Sequence, residues 1–257
     1  MIRLGIFGGS GRVGKLIIQE IGSYSGVELG AVFVRKQLDF SLPEGSFVTN
    51  DFAELLRSCD VLIDFSTKEA TNSLLHALES ASASASIPCV IGTTGLSKEE
   101  FALMESYAKR AAVLYASNMS LGVAILRQVV EQVAAKLPNA DIEISEIHHR
   151  YKKDAPSGTA LSLAESCAKG REEPLEKILV TDRIKQGARK PGELSIVSLR
   201  GGDVAGRHCV GFYLDGEYLE LTHNATNRLT FAKGAIECAI WLAGKAPRIY
   251  SIDEMFA

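Results

Sequence analysis

Ile2-Arg3-Leu4-Gly5-Ile6-Phe7-Gly8-Gly9-Ser10-Gly11-Arg12-Val13-Gly14 opens the chain with a short apolar run that feeds straight into glycines. Ile2 to Phe7 has the near-continuous apolar character of a strand buried on both faces of a parallel sheet. Lys15-Leu16-Ile17-Ile18-Gln19-Glu20-Ile21 follows as a helix, with Val13, Leu16, Ile17 and Ile21 on one face. Strand, glycine loop and helix in that order are the setting a dinucleotide-binding fingerprint requires. The spacing is G-x-x-G-x-x-G at Gly8, Gly11 and Gly14, with Gly9 as an extra, rather than the commoner G-x-G-x-x-G. In this reading Gly8 makes the tight turn, Gly11 admits a pyrophosphate and Gly14 lets the helix close on the strand. Gly8, Gly9, Ser10, Gly11, Arg12 and Val13 become candidate cofactor contacts. The bland alternative is a glycine-rich turn that holds nothing.

Outward from that stretch the alternation continues. Leu29 to Val34 reads as a second strand, Val61 to Ser66 as a third, Ile87 to Ile91 as a fourth and Ala112 to Tyr115 as a fifth. Lys68 to Glu79 reads as a helix, and Ser97-Lys98-Glu99-Glu100 as a capping box opening another. Strands alternating with helices predict a parallel sheet. Ligands of such sheets lie outside the carboxyl ends of the strands. Phe65, Ser66, Gly92, Thr93 and Thr94 therefore join the cofactor candidates, with Ser117, Asn118 and Met119 after the fifth strand. The second strand ends Val34-Arg35-Lys36, with no acid before Asp39. An acid there would grip the ribose 2′-hydroxyl of NADH, whereas an arginine suits a 2′-phosphate, so Arg35 favours NADPH and leaves NADH possible. Ser80 to Ser86 is an Ala/Ser patch, read as a helix tail or spacer.

The pattern changes after a long helix, Leu121 to Leu137. Ile142–His148, Glu193–Leu199, Cys209–Leu214 and Glu217–Thr222 read as strands, and Asp215-Gly216 as a hairpin turn. Consecutive strands without helices imply a mixed or antiparallel sheet, hence a second domain. Gly170 to Pro191 is polar and reads as a mobile loop or lid, and Asn227 to Ala243 as an amphipathic helix returning to the first domain.

Glu146-Ile147-His148-His149-Arg150-Tyr151-Lys152-Lys153-Asp154-Ala155-Pro156-Ser157-Gly158-Thr159-Ala160 is the densest chemical stretch. Pro156 marks a turn, and Ser157-Gly158-Thr159-Ala160 starts a helix. The first N–H groups of a helix attract an anion, Gly158 would let it approach, Thr159 adds a hydroxyl and Lys152 a full charge. His148 and His149 can exchange protons near neutral pH. Such a run is also the composition of a solvated basic loop.

The 257 residues suffice for one large domain or two modest ones. A net charge of −3 and a pI near 6.0 argue against nucleic acid or a membrane surface as partner. Five scattered cysteines without a Cys-x-x-Cys pair suggest buried, reduced thiols and no metal site. With no signal segment and no membrane-length apolar run, a soluble cytoplasmic protein is expected.

With these pieces in place, the chain resembles the 4-hydroxy-tetrahydrodipicolinate reductase (dihydrodipicolinate reductase) family along essentially its whole length. Glu146-x-His148-His149-x-x-Lys152-x-Asp154-Ala155-Pro156-Ser157-Gly158-Thr159-Ala160 is similar to the family's E-x-H-H-x-x-K-x-D-A-P-S-G-T-A at every fixed position. Gly8-x-x-Gly11-Arg12-Val13-Gly14 resembles its G-x-x-G-R-M-G loop, with Val13 for the usual Met. Gly92-Thr93-Thr94-Gly95, Asn118-x-Ser120-x-Gly122-Val123 and Arg200-x-Gly202-Asp203-x-x-Gly206-x-His208 also fit.

The resemblance implies a Rossmann-type domain (residues 1–118 and 228–257) and an inserted α+β domain with an open mixed sheet (119–227). The inserted domain would bind substrate and build a homotetramer. The implied reaction is hydride transfer from NAD(P)H to a cyclic dicarboxylate imine in lysine and diaminopimelate synthesis. It also implies His148 as acid/base group and Lys152 as its cationic partner. His149, Lys152, Ser157, Gly158 and Thr159 would hold a carboxylate. Many relatives carry an acid just before the arginine aligned with Arg35, where Val34 stands here. Two rivals remain: another Rossmann oxidoreductase, and an NADPH-binding regulatory protein. A semialdehyde dehydrogenase needs a nucleophilic cysteine at a strand end, and neither Cys59 nor Cys89 is so placed. A regulator would not need His148, Lys152 and the Ser157-Gly158-Thr159 site together.

Overall fold

A computed structural model describes residues 1–35, 38–82 and 86–256. Lys36 and the middle of the Ala/Ser patch lie outside the described residues. In chain order the first unit holds β1 (Ile2–Phe7), α1 (Arg12–Glu20), β2 (Val27–Phe33), β3 (Phe47–Thr49), α2 (Phe52–Arg57), β4 (Val61–Asp64), α3 (Lys68–Ser80), β5 (Cys89–Ile91), α4 (Lys98–Tyr107) and β6 (Ala112–Tyr115). The second unit holds α5 (Leu121–Lys136), β7 (Asp141–His148), α6 (Gly158–Gly170), α7 (Leu175–Ile178), β8 (Leu179–Val180), α8 (Arg183–Gln186), β9 (Leu194–Arg200), β10 (Gly206–Leu214) and β11 (Glu217–Ala225). The chain then returns to the first unit with α9 (Leu229–Leu242) and β12 (Arg248–Tyr250). The units comprise residues 1–120 with 229–257, and 121–228.

The first unit is a seven-stranded sheet in the order β12-β6-β5-β4-β1-β2-β3, and its strand pairs are all parallel. This is a Rossmann-type arrangement, and the order reverses between β1 and β4. Covered on both faces, its strands read as apolar runs: Val61, Leu62 and Ile63 are each at most 1% exposed. Side-chain caps begin the helices as the sequence demands. Asp51 Oδ1 accepts the Glu54 N–H at 2.9 Å, and Glu100 Oε2 accepts the Ser97 N–H at 2.6 Å. Helix α9 does pack on the first unit, against α1, β4, β5 and β6, and a Cβ on Gly234 would fall 1.7 Å from the Met119 carbonyl oxygen.

The second unit is a five-stranded mixed sheet in the order β11-β10-β7-β9-β8. β7–β9 and β8–β9 are parallel, β7–β10 and β10–β11 antiparallel. One face packs on α5 and α6 through Ile142, Ile144, Leu194, Ile196, Val210 and Phe212.

Several boundaries move for identifiable reasons. The fourth strand begins at Cys89 rather than Ile87: Pro88 has no N–H, and the Ile87 N–H and carbonyl both engage the Tyr107 hydroxyl. The third ends at Asp64, whose carboxylate accepts the Ser66 N–H at 2.9 Å and turns the chain. The segment 170–191 is not a structureless loop. It contains α7, α8 and β8, and β8 pairs with β9 at Leu179↔Leu194. No helix among the described residues is long and apolar enough to cross a membrane.

Candidate active site

The β1–α1 loop is built by steric necessity. Gly8 has φ +89°, and a Cβ there would lie 2.4 Å from the Phe65 carbonyl oxygen. A Cβ on Gly14 would sit 2.3 Å from the Gly8 carbonyl oxygen, so the helix approaches the turn only as glycine. Gly11 is the N-cap of α1, and its N–H donates to the Gly8 carbonyl at 2.9 Å. The result is a cleft of about 350 Å³ whose walls include Gly8, Ser10, Gly11, Arg35, Phe65 and Ser66, with Phe33 and Val34.

The remaining cofactor candidates sit around that cleft or away from it. Gly92 is covered by the Phe65 ring, where a Cβ would meet Cζ at 2.4 Å. Thr93 Oγ1 accepts the Ser66 N–H at 3.1 Å, and Thr94 is exposed beside it. Gly9 is buried beneath the loop against Val32, while Arg12 and Val13 lie on the first turn of α1. Ser117 is exposed after β6 and Asn118 Oδ1 accepts the Ser120 N–H at 2.8 Å. Met119 turns its side chain into the core, with Sδ 3.9 Å from Cys238 Sγ.

Asp64, at the end of β4 beside the cleft-lining Ser66, carries no role legible in the sequence. Its Oδ2 accepts from Thr71 Oγ1 at 2.5 Å and Thr93 Oγ1 at 3.3 Å. Burial pushes its carboxyl up to about 6, against the hydrogen bonds from Ser66, Thr71 and Thr93.

In the second unit, the inward face of the sheet changes character along its length. Ile142 and Ile144 of β7 feed the core, but the next inward residues are Glu146 and His148. In register beside them stand Ser198 and Arg200 of β9, and His208 of β10 opposite Glu146. His148 Nδ1 lies 2.5 Å from Glu146 Oε2. Arg200 clasps the same carboxylate with Nη1 at 2.9 Å and Nη2 at 2.8 Å. Burial opposes the charge on Glu146, but the Arg200 and His148 hydrogen bonds outweigh it and hold the carboxyl below its usual range. Burial pushes His148 below 6.5, with Glu146 pulling the other way.

The turn after β7 brings the anion candidates to the same end. Ser157 caps α6: its Oγ accepts the Ala160 N–H at 3.1 Å and lies 3.2 Å from His208 Nε2. Its own N–H donates to Glu146 Oε1 at 3.2 Å. Gly158 and Thr159 are the first residues of α6, and nothing lies within 4 Å of a Cβ built on Gly158. Lys152 Nζ is 2.8 Å from Asp154, and His149 keeps a buried Nδ1 without a hydrogen-bond partner. A buried imidazole, a lysine and a helix N-terminus can together hold a carboxylate and donate a proton.

Glu146, Arg200 and His208 belong to the motifs shared with the family, but the sequence gives them no role. The signal was a change of parity: apolar residues occupy even positions at Ile142 and Ile144, then move to the odd position Ile147 without a bulge in the register.

Family models for the N-terminus and C-terminus of dihydrodipicolinate reductase match residues 2–119 and 122–256. The 4-hydroxy-tetrahydrodipicolinate reductase of Wolinella succinogenes is 53% identical over 255 residues, covering 99% of this chain and 98% of that one. The Helicobacter hepaticus enzyme of the same name shows the same identity and coverage. The structure of dipicolinate-bound dihydrodipicolinate reductase from Paenisporosarcina sp. TG-14 superposes with a TM-score of 0.78 at 25% identity. It covers 98% of this chain and 97% of that one.

Proposed function

The chain belongs to the dihydrodipicolinate reductase family, and from that premise we propose that it reduces the dehydrated, cyclic imine form of 4-hydroxy-tetrahydrodipicolinate to tetrahydrodipicolinate in lysine and diaminopimelate biosynthesis. The observation that carries this reading is the buried His148 imidazole at one end of the mixed sheet, with Lys152 and the α6 N-terminus at the same end.

The first unit fits a nicotinamide dinucleotide. Its glycine cradle would be filled by a Cβ at Gly8 or Gly14, and the cleft is walled by Ser10, Gly11, Phe65 and Ser66. A reduced nicotinamide, when bound, supplies the hydride. We assign pyrophosphate contacts to residues 8–13, and nicotinamide contacts to Gly92, Thr93, Thr94 and residues 117–119. Arg35 on the cleft wall supports NADPH over NADH. The described lining contains no carboxylate for a 2′-hydroxyl, and Asp39 lies 3.8 Å from Lys15.

In the second unit, His149, Lys152, Ser157, Gly158 and Thr159 hold one substrate carboxylate. Hydride addition to a conjugated imine leaves electron density at the nitrogen end. A proton on His148 and the charge of Lys152 are worth most there, where charge develops in the transition state. The regulatory reading gives no use for this arrangement. The five free buried cysteines suit a reducing, cytoplasmic compartment. The outward sheet face exposes Val197 and Leu199 at 50% each and Tyr218 at 66%, which supports self-association as a homotetramer.

A coupled assay tests the proposal, with dihydrodipicolinate synthase supplying substrate from pyruvate and aspartate semialdehyde. Substrate-dependent oxidation of NADPH is expected, faster than that of NADH at low cofactor. Equal rates would remove the role of Arg35. No oxidation of either, by protein that still binds NADPH, would favour the regulatory reading.

A further inference from the structure

We propose that Glu146 is the positioning residue of His148: it accepts the Nδ1 proton, aims Nε2 at the substrate, and is itself fixed by Arg200. The inference deepens the reductase reading and rests on it for its kinetic consequence.

The geometry is fully determined. Glu146 is 1% exposed, and its oxygens receive four donors. Oε2 meets His148 Nδ1 at 2.5 Å and Arg200 Nη1 at 2.9 Å. Oε1 meets Arg200 Nη2 at 2.8 Å and the Ser157 N–H at 3.2 Å. A carboxylate offers about four lone-pair directions, so this one has no capacity left for a substrate donor. Both terminal nitrogens of Arg200 are committed too, although its buried Nε has no partner: Nη2 also donates to the Asp154 carbonyl at 2.6 Å, and Nη1 to that of Leu199 at 2.6 Å. The Glu146 carboxylate and the Arg200 Nη atoms are thus directed at His148, at the turn before α6 and at one another.

The other ring nitrogen points differently. A Cβ added to Gly206 would come within 3.1 Å of His148 Nε2, so glycine keeps that side of the ring clear. With Nδ1 bound to a carboxylate, Nε2 is the nitrogen that gives and takes the proton. The titratable and charged groups facing the imidazole are Glu146 on its own strand, Arg200 from β9, Lys152 from the following turn and the neutral His208 from β10, whose ring centroid lies 5.1 Å away. Burial, Lys152 and Arg200 disfavour the imidazolium, and Glu146 alone among these causes favours it. Removing Glu146 should therefore deplete the proton-donating form at neutral pH as well as free the ring to turn.

Three variants and one spectrum test this. Glu146→Gln should lower kcat at least about tenfold, and by no more than the ~10²–10⁴-fold a positioned acid supplies. The substrate KM should change by less than about threefold, since the glutamine oxygen can still accept the Ser157 N–H and the other carboxylate-holding groups do not touch Glu146. NADPH affinity should stay constant, and the pH above which kcat declines should move to lower values. Glu146→Asp, which keeps the charge, should recover part of the loss. Because Glu146→Gln strands a buried Arg200, the double variant Glu146→Gln/Arg200→Met removes both charges together; it should show a comparable kcat loss and a smaller pH shift in the same direction, since Arg200 also disfavours the imidazolium. In wild type, the ¹⁵N spectrum of labelled histidine should show His148 protonated at Nδ1 in its neutral form. Protonation at Nε2 instead would overturn the proposal, as would an unchanged kcat and pH profile in a folded variant. Wild-type protein that oxidises no cofactor would sink the reductase reading, while the spectrum would still judge the Glu146–His148 pair.

Discussion

His208 separates burial from ligand chemistry at the scale of a single side chain. It is 3% exposed, and burial first, then His148, push it to about 4 from the ordinary 6.5. A base lowered by folding binds its proton more readily in the unfolded chain, so its contribution is complete above pH 6.5 and is lost as pH falls toward 4. The gap corresponds to about 3 kcal/mol at the acid end. Urea unfolding of wild type should weaken steeply over that window, and His208→Gln should flatten the slope. Parallel curves would mean that His208 is charged in the folded protein. The sequence shows this residue only as the last position of a motif shared with the family, with no role. It stands just before the strand read as Cys209–Leu214; the strand in fact begins at Gly206, and only its register places His208 inward, opposite Glu146. By contrast, His148, Lys152 and the Ser157-Gly158-Thr159 stretch could be read directly, because they lie in one contiguous run whose chemistry is local. Glu146 and Arg200 are 54 positions apart, and no local pattern pairs them.

Among the elements, β4 and β5 are tied at their carboxyl ends by one buried acid. Asp64 holds the Ser66 N–H and the Thr71 and Thr93 hydroxyls, and so joins the loops that flank the proposed cofactor cleft. Its raised value has the opposite sign to that of His208. The folded state favours the protonated acid, so its contribution is present below pH 3.8 and is lost as pH rises through about 6. Asp64→Asn should therefore gain stability relative to wild type at pH 7.5 by up to about 3 kcal/mol, and little at pH 4. NADPH affinity should fall several-fold, because an amide accepts fewer of the three donors. Titration calorimetry beside urea unfolding reads both, and unchanged affinity would release Asp64 from the loops. Most elements were legible because the parallel sheet imposes long apolar runs and α4 carries the Ser97–Glu100 capping box; the six-residue α2, capped by Asp51, was not. Strands β3 and β12, at three residues each, are too short to show a period. The segment 170–191 is polar because α7 and α8 are four-residue helices with no buried residues.

For the whole molecule, the change of parity in β7 and β9 has two consequences at once. When the inward positions turn polar at Glu146, Ser198 and Arg200, the apolar residues Ile147, Val197 and Leu199 pass to the outward face. The polar end of the inner face and the apolar patch outside are thus the same feature seen from two sides. Further across that face the Tyr213 ring lies over Gly211 and stacks on Tyr218 at 5.5 Å, flattening the surface. Val197 and Leu199 on β9 and Tyr218 on β11 share this outward face, and their exposed apolar surface favours burial against another copy at about 25 cal/mol per Å². Placing carboxylates there, as Val197→Glu with Leu199→Glu, should convert an assembly of four times 27.7 kDa into smaller species by light scattering. The inward residues should be unaffected, so far-ultraviolet circular dichroism should stay that of wild type. A wild type that scatters as a single chain at micromolar concentration would remove the tetramer and leave this patch unexplained. A variant that keeps the wild-type mass would place the interface elsewhere on the second unit.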